Sequence, residues 1–158
     1  MKLLVFSDSH GHIERMSLAV KQAAPDVVLH LGDNIGDARK LSAQLPNTAV
    51  YMVKGNCDSY AIGDLEQTLC LEGAKIYMAH GHMYNVKMGL TSFVYRAQET
   101  GADIALYGHT HVAALERLNG LWLMNPGQMK RHDRDFAATY GIISLKGGKI
   151  DIKLKNLP

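Results

Sequence analysis

Residues 2–11 read KLLVFSDSHG, a short apolar run that ends in a polar loop closed by glycine. An uninterrupted apolar run of this length is typical of a strand that is buried on both faces. The loop carries Asp8 and His10 at i, i+2 spacing, which places both side chains on one side of an extended backbone. The stretch therefore predicts a buried first strand that ends in two metal-capable side chains.

Four further apolar runs repeat this arrangement, each ending in a glycine next to or near a polar side chain. The strands are predicted at 27–31, 49–53, 75–79 and 103–107. Strand ends on one edge of an α/β sheet are where ligand sites lie. The sequence therefore predicts that seven side chains converge on one place. They are Asp8, His10, Asp33, Asn56, His80, His109 and His111.

The remaining pattern indicates an α/β fold. Helical spacing at 13–23, 37–45 and 90–100 alternates with the predicted strands, which also include residues 65–71. The last third is strand-like at 112–118, 121–125, 139–145 and 149–154, and Asn119-Gly120 and Gly147-Gly148 are signals for two-residue hairpin turns. We expect mixed sheets with helices packed outside them, and a meander in the last third.

Composition limits the classes of protein that this sequence can represent. The length of 158 residues suits one domain, residues 1–158. Apolar residues at 47% and charged residues at 20% exclude a disordered chain, and a net charge of +2 argues against a long nucleic-acid groove. Two cysteines make no disulfide framework, and no apolar run approaches the length of a membrane span. We expect a cytoplasmic protein that does not bind membranes.

The seven predicted ligands are two carboxylates, four imidazoles and one amide, which is too many for one ion. They fit two ions that share one carboxylate, and Asp33 is the natural bridge because it stands alone at its strand end. A mixed set of histidine and aspartate favours Mn, Fe, Co, Ni or catalytic Zn over Mg or Ca. Two such ions can clamp a phosphoryl group for in-line attack.

These motifs resemble those of the calcineurin-like metallophosphoesterase superfamily. The matching blocks are Asp8-Ser-His10, Gly32-Asp33, Gly55-Asn56-Cys57-Asp58, His80 and Gly108-His109-Thr-His111. The resemblance runs from residue 2 to about residue 130, and Asn125-Pro126-Gly127 is similar to the small bacterial and archaeal phosphodiesterase branch. It implies a four-layer αββα sandwich, in which two mixed β-sheets are flanked by helices.

The resemblance also implies roles for the predicted ligands. Asp8, His10, Asp33 and His111 would hold a first metal ion, and Asp33, Asn56, His80 and His109 a second. The cofactors would be two divalent transition metal ions, Mn first, with Ni, Co, Fe or Zn as alternatives. A metal-bridging hydroxide would attack the phosphoester, and Asn56 would also bind its phosphate.

Two positions depart from the family pattern. Cys57 stands where many members carry a histidine that is taken as the acid for the leaving group, and a thiol is a poor acid for an alkoxide. Asp58 and His82 are the candidate substitutes, and we expect esters with activated leaving groups to react faster. Gln128 stands where the branch usually has serine, which leaves the predicted metal ligands untouched.

The expected function is metal-dependent hydrolysis of small phosphodiesters, including short nucleotides. A phosphomonoesterase or nucleotidase is the alternative within the same chemistry, because the sequence does not separate monoesters from diesters. A protein-binding scaffold is the alternative outside it, since a retromer-type subunit of this fold has lost part of its ligand set. All seven positions here keep coordinating side chains, which favours the enzyme. A homo-oligomer is left open.

Two further features have a structural and a functional interpretation. His30 lies inside an apolar strand, so we expect a buried histidine with satisfied hydrogen bonds, whose loss mainly affects stability. The charged run 130–134 suits a solvated loop, and the alternative is that Arg131 borders the pocket and attracts anionic substrate.

Overall fold

Ten strands and three helices form the protein in a computed structural model that describes residues 1–129 and 137–157. In chain order they are β1 (Lys2–Phe6), α1 (Ile13–Ala23), β2 (Val27–His30), α2 (Ile35–Ala43), β3 (Ala49–Met52), β4 (Glu66–Leu71), β5 (Ala74–Ala79), α3 (Thr91–Glu99), β6 (Ile104–Leu106), β7 (Ala114–Leu118), β8 (Leu121–Asn125), β9 (Thr139–Lys146) and β10 (Lys149–Asn156). Short 3₁₀ turns cover Asn56–Asp58 and His82–Tyr84.

The strands pair into two mixed sheets of five strands each. The first has the order β10-β9-β1-β2-β3, in which β1, β2 and β3 run parallel and β9 runs antiparallel to β1. The second has the order β4-β5-β6-β8-β7, in which β5, β6 and β8 run parallel. Parallel neighbours bring their carboxyl ends to the same edge of a sheet, so each sheet presents three such ends together.

The alternation of side chains along β1 explains the layers. Leu3 and Val5 point into the core between the two sheets, while Leu4 and Phe6 point outward to α1 and α2. All four are fully buried, and burial of a side chain of this size contributes about 1.5–3 kcal/mol. A strand buried on both faces cannot alternate polar and apolar residues, which is why residues 3–6 are continuously apolar.

The outer face of the second sheet is covered by α3. Phe93 and Ala97 on that helix pack against Tyr77 and Ala105 on the sheet. The layer order is therefore helices, sheet, sheet, helix, which confirms the expected four-layer αββα sandwich.

The predicted elements are found, with one error in how they are joined. The turns Asn119-Gly120 and Gly147-Gly148 join two antiparallel hairpins, as predicted, and all four residues have positive φ. The meander in the last third is wrong, because β7–β8 belongs to the second sheet and β9–β10 to the first. The turn residues of each hairpin are sufficient to predict the hairpin itself. The sheet that it joins depends on pairing with strands that are distant in the sequence.

One helix is shifted by two residues from its predicted position. The helix expected at 37–45 spans Ile35–Ala43, and it begins two residues early because Asp58 Oδ1 accepts hydrogen bonds from the backbone N–H groups of Asn34 and Ile35, at 3.0 and 2.9 Å. A hydrogen-bond acceptor that comes from another loop leaves no signal in the sequence next to the helix.

In the described part of the chain, no helix has the length and apolar character required to cross a membrane. The charged run 130–134, with Arg131, lies outside the described residues.

Candidate metal centre

The structure brings the seven predicted ligands together at one edge of the sandwich. Ligand atoms of six of them fall into two groups, within each of which all atoms lie within 4.8 Å of one another. The first group is Asp8, His10, Asp33 and His111, and the second is Asp33, His80 and His109. Asn56 joins the second group, since its Oδ1 lies 3.1 Å from His80 Nε2. Asp33 belongs to both groups, as a bridging carboxylate would.

Five of the seven ligands have left-handed backbone. They are Asp8, His10, Asp33, His109 and His111, with φ between 41° and 66°. This conformation costs a residue with a side chain roughly 1–2 kcal/mol, and such strain is concentrated at functional sites. The loops therefore keep an unfavourable conformation that aims the ligand side chains inward.

Two glycines allow the ligand loops to approach one another. A Cβ atom on Gly55 would overlap the Asp33 carboxylate, and one on Gly108 would overlap Ser7 Oγ and crowd Asp8 Oδ2. Neither glycine needs positive φ, so the requirement is for space alone. These contacts explain why a glycine precedes Asn56 and His109 in the sequence.

The first group contains a buried carboxylate with one uncommitted oxygen. Asp8 Oδ2 accepts hydrogen bonds from Ser7 Oγ at 2.6 Å and from the His109 backbone N–H at 3.1 Å. Asp8 Oδ1 lies 3.1 Å from His111 Nε2 but receives no well-directed hydrogen bond from the described residues. Burial by itself would raise the pKa of Asp8, but His111, His80 and Ser7 outweigh it and hold the pKa below its ordinary value. The result is an anionic oxygen that suits a cation.

The second group has too few protons for its acceptors. His80 is fully buried, and its Nδ1 lies 2.9 Å from the Leu31 carbonyl, which can only accept. In the neutral ring Nδ1 therefore carries the proton, and Nε2 presents a lone pair to Asn56 Oδ1 at 3.1 Å, His109 Nδ1 at 3.2 Å and Asp33 Oδ1 at 3.5 Å. The lone pairs of His80 Nε2, Asn56 Oδ1 and Asp33 Oδ1 face one another across this space, which fits a metal ion. The carbonyl orients the ring as outer partners of metal ligands do.

The pKa shifts of two histidines differ because their surroundings differ. Burial, followed by the charge of His80, lowers the pKa of His109 and keeps its ring in the neutral form that binds metal. Contact with the Asp8 carboxylate raises the pKa of His111 despite the burial that acts against it. At a given pH, a proton therefore competes with a metal ion more strongly at His111 than at His109.

Cys57 lies at the margin of the metal centre. Its backbone N–H donates to Asp33 Oδ1 at 2.9 Å, and its exposed thiol lies 3.5 Å from Asn56 Nδ2. Burial and the neighbouring Asp33 raise the pKa of the Cys57 thiol to about 11. A raised pKa disfavours the thiolate form that a nucleophilic cysteine requires.

Asp58 and His82, the candidate acids, occupy different surroundings. Both Asp58 oxygens accept backbone hydrogen bonds, Oδ2 from Gly55 at 2.9 Å and Oδ1 from the start of α2, so this buried carboxylate organises loops. The His82 ring centroid lies 5.4 Å from that of His80 and 6.2 Å from that of His109. Burial lowers the pKa of His82, and its Nδ1 has no partner in the described part of the chain. Of the two, His82 is the one placed at the margin of the centre.

Asn125 organises the loop of His109 and His111, a role that sequence reasoning missed. Its Nδ2 donates to the Gly108 carbonyl and to Thr110 Oγ1, both at 2.9 Å, and its Oδ1 accepts from the Gly127 N–H at 2.9 Å. The Asn-Pro-Gly tripeptide was visible in the sequence, but its contact lies 17 residues away. The neighbouring Gln128 is buried, and its Oε1 has no partner among the residues described.

Comparison with known proteins gives consistent results. A sequence model of the calcineurin-like phosphoesterase superfamily domain matches residues 1–148. The probable metallophosphoesterase YsnB of Bacillus subtilis is 34% identical over 158 residues, covering 97% of this chain and 89% of YsnB. The phosphodiesterase YfcE of Escherichia coli K12 is 27% identical, covering 90% of this chain and 87% of YfcE.

Solved structures share the fold along the whole chain. A predicted phosphoesterase of Streptococcus pneumoniae has a TM-score of 0.82 at 26% identity and covers 98% of this chain and 88% of its own. A mutant Vps29 of Entamoeba histolytica has a TM-score of 0.77 at 19% identity, with both chains fully covered. The Vps29 likeness shows the fold alone.

Proposed function

Because the chain belongs to the calcineurin-like phosphoesterase superfamily, we propose that residues 1–158 form one metal-dependent phosphodiesterase domain that hydrolyses small phosphodiesters. The observation that carries the proposal is the membership of Asp33 in both ligand groups. One carboxylate shared between two sets of ligands suits a pair of ions, and a pair of ions suits attack on phosphorus. The name of YfcE supports the choice of a diester, since that relative is called a phosphodiesterase.

The ligand set supports two divalent transition metal ions, with Mn first and Ni, Co, Fe or Zn as alternatives. Asp8, His10, Asp33 and His111 would hold one ion, and Asp33, Asn56, His80 and His109 the other. Neutral imidazoles combined with carboxylates favour these metals over Mg and Ca. When bound, two such ions lower the pKa of water and neutralise charge on the phosphoryl oxygens.

The protein contributes positioning around the reacting phosphorus. Asn56 turns its Oδ1 toward the second group, and its exposed side chain leaves an amide N–H free for a phosphate oxygen. The net reaction adds water across one P–O bond, so the departing oxygen must gain a proton. A Cys57 thiol with a pKa of about 11 and a His82 with a lowered pKa are both weak sources of that proton at neutral pH. We therefore expect phenolate-like leaving groups to depart faster than alkoxides.

The alternative function, a protein-binding scaffold, predicts that the protein does not depend on bound metal. The ligand set supports the enzyme instead, since all seven side chains are present and converge. A likeness of fold to Vps29 does not separate the two functions, because the same framework can carry different sites.

Hydrolysis by metal-stripped protein tests the proposal. We expect added Mn²⁺ to restore turnover of bis-(4-nitrophenyl) phosphate, with a lower rate on 4-nitrophenyl phosphate. A higher rate on the monoester would replace the diesterase by a phosphomonoesterase. No turnover with any divalent ion, together with no bound metal, would favour the scaffold.

A further inference from the structure

A buried line of hydrogen bonds runs beneath the first ligand group. His30 Nε2 lies 3.1 Å from Ser9 Oγ, and Ser9 Oγ donates to Asp37 Oδ2 at 2.8 Å. The Gly11 backbone N–H donates to the same Asp37 oxygen at 2.7 Å. All three side chains are at most 3% exposed. We call the side chains of His30, Ser9 and Asp37 the Ser9 relay.

The direction of the hydrogen bonds is fixed by the backbone. The Gly32 N–H donates to His30 Nδ1 at 3.2 Å, so Nδ1 holds the lone pair and Nε2 carries the proton of a neutral ring. His30 therefore donates to Ser9, whose own proton goes to the carboxylate of Asp37, the nearer of its two acceptors. Both ring nitrogens are satisfied, which confirms the expected buried histidine.

The position of the Ser9 relay gives it a role beyond packing. Ser9 lies between Asp8 and His10, both of which have left-handed backbone, and the Gly11 contact holds the other side of His10. The His30 contact with Gly32 holds the residue before Asp33. Each contact of the relay thus falls on a loop that carries a ligand of the first group. The relay does not contact the residues that orient the other ligands: His80 is oriented by the Leu31 carbonyl, and the loop shared by His109 and His111 is held by Asn125.

We propose that the Ser9 relay is a positioning device that sets the affinity of the first ligand group for its metal ion, separately from the second group. The proposal rests on the two-metal centre proposed above. Without the relay, the strained residues Asp8 and His10 can relax to ordinary backbone angles, which moves two of the four ligands of the first group. Outer partners of metal ligands typically contribute 10–100-fold to metal affinity.

Calorimetric titration of metal-free protein with Mn²⁺ tests the proposal. His10→Ala and Asn56→Ala assign the two binding events, since each removes a ligand from one group only. We expect Ser9→Ala to weaken the first-group event by about 10–100-fold and to leave the second-group event unchanged. Equal weakening of both events, or no weakening of the first, would overturn the proposal.

Two substitutions of His30 separate positioning from packing. His30→Gln can keep a donor near the position of Nε2, so we expect it to retain the bond to Ser9 and most of the first-group affinity. His30→Asn can keep an acceptor for the Gly32 N–H but loses the donor to Ser9, so we expect it to resemble Ser9→Ala. If the two variants lose first-group affinity equally, the relay through Ser9 is not what sets it.

The control is a variant that loses stability in the core beneath α3, outside the Ser9 relay. Phe93→Leu thins the core beneath α3 and is expected to lower the unfolding temperature with both binding events intact. If Ser9→Ala does not fold, Asp37→Asn replaces it, with the same expected selectivity. Wild-type protein that binds two Mn²⁺ ions without hydrolysing either ester would refute the proposed function and leave this inference standing.

Discussion

The two edges of the sandwich lie at opposite ends of the same strands, but their loops differ in backbone conformation and in the contacts that hold them. The hairpin edge carries the turns 72–73, 119–120 and 147–148, where positive φ falls mostly on glycine. The metal edge carries the loops 8–11, 32–37, 55–58, 80–82 and 108–111, where five of the nine residues with positive φ are predicted metal ligands. The hairpin edge is less strained and is locally encoded, whereas the metal edge is more strained and is held by distant contacts. Substitutions of equal size should therefore have unequal effects at the two edges.

The largest expected difference comes from the carboxylate shared at the metal edge. Asp33→Asn keeps the shape of the side chain and an oxygen for the Cys57 N–H, but removes the charge common to both groups. We expect metal-dependent hydrolysis to fall on the order of 10³-fold or more, with loss of bound metal. Asp103→Asn is the matched control at the hairpin edge, where Asp103 accepts the Lys75 N–H, and it should keep full metal content and rate. An Asp33 variant that retains both would refute the shared bridge.

Two glycine substitutions compare the effect of a steric clash with the effect of backbone strain alone. Gly108→Ala places a methyl group against Ser7 Oγ and Asp8 Oδ2, so we expect a loss of about 1–3 kcal/mol in the free energy of unfolding, with weaker metal binding. Gly73→Ala meets no described atom within 4 Å and carries only the strain of φ +82°, about 1 kcal/mol. Urea unfolding measures both. A larger loss for Gly73→Ala would contradict the comparison.

Acid should lower the free energy of unfolding because His30 resists protonation in the folded protein. Burial lowers the pKa of His30 to about 4, whereas the unfolded chain titrates near its ordinary value of about 6.5. As the pH falls below 6.5, the unfolded state takes up a proton that the folded state does not, so stability falls between pH 6.5 and 4 and is unaffected above this window. At pH 5 the loss is about 2 kcal/mol.

The matched experiment is urea unfolding of metal-free wild type and His30→Asn at pH 7.5 and pH 5. Other groups that titrate in this range act on both proteins, so their difference isolates His30. The wild type should lose more stability than the variant. An equal loss in both proteins would mean that His30 does not control this pH dependence.

The smallest expected effect concerns the leaving group. Cys57→His installs an imidazole where many members of the family carry one, and general acid catalysis can supply 10²–10⁴-fold. Since the surroundings are not built for it, we expect a gain of only about tenfold on alkyl phosphodiesters and little change on nitrophenyl esters. Cys57→Ala is the control and should change neither rate. A gain on nitrophenyl esters of the same size would point to an effect other than protonation.

The sequence predicts what depends on local pattern. The bounds Lys2–Phe6 and Ile13–Ala23 follow from apolar periodicity, and the hairpin turns follow from the Asn-Gly and Gly-Gly pairs. The predicted ligands also follow from local pattern, because each stands at the end of a strand. Their convergence was foreseeable, since neighbouring parallel strands end at one edge.

Contacts between loops explain what the sequence could not predict. Asp58 fixes the start of α2 from 23 residues away, and Ser9 meets His30 and Asp37 at separations of 21 and 28 residues. A buried polar side chain reveals nothing of its partner until the fold brings the two together. For this reason His30 was expected to act mainly on stability, whereas its position beneath the first ligand group suggests a second role.

The most direct test of the central claim is electron paramagnetic resonance of the protein loaded with two equivalents of Mn²⁺. Two ions that share Asp33 should be magnetically coupled and give the spectrum of an exchange-coupled pair. Asp33→Asn at the same loading should give only uncoupled Mn²⁺. A wild-type spectrum of isolated ions would contradict a centre in which one carboxylate belongs to both metal ions.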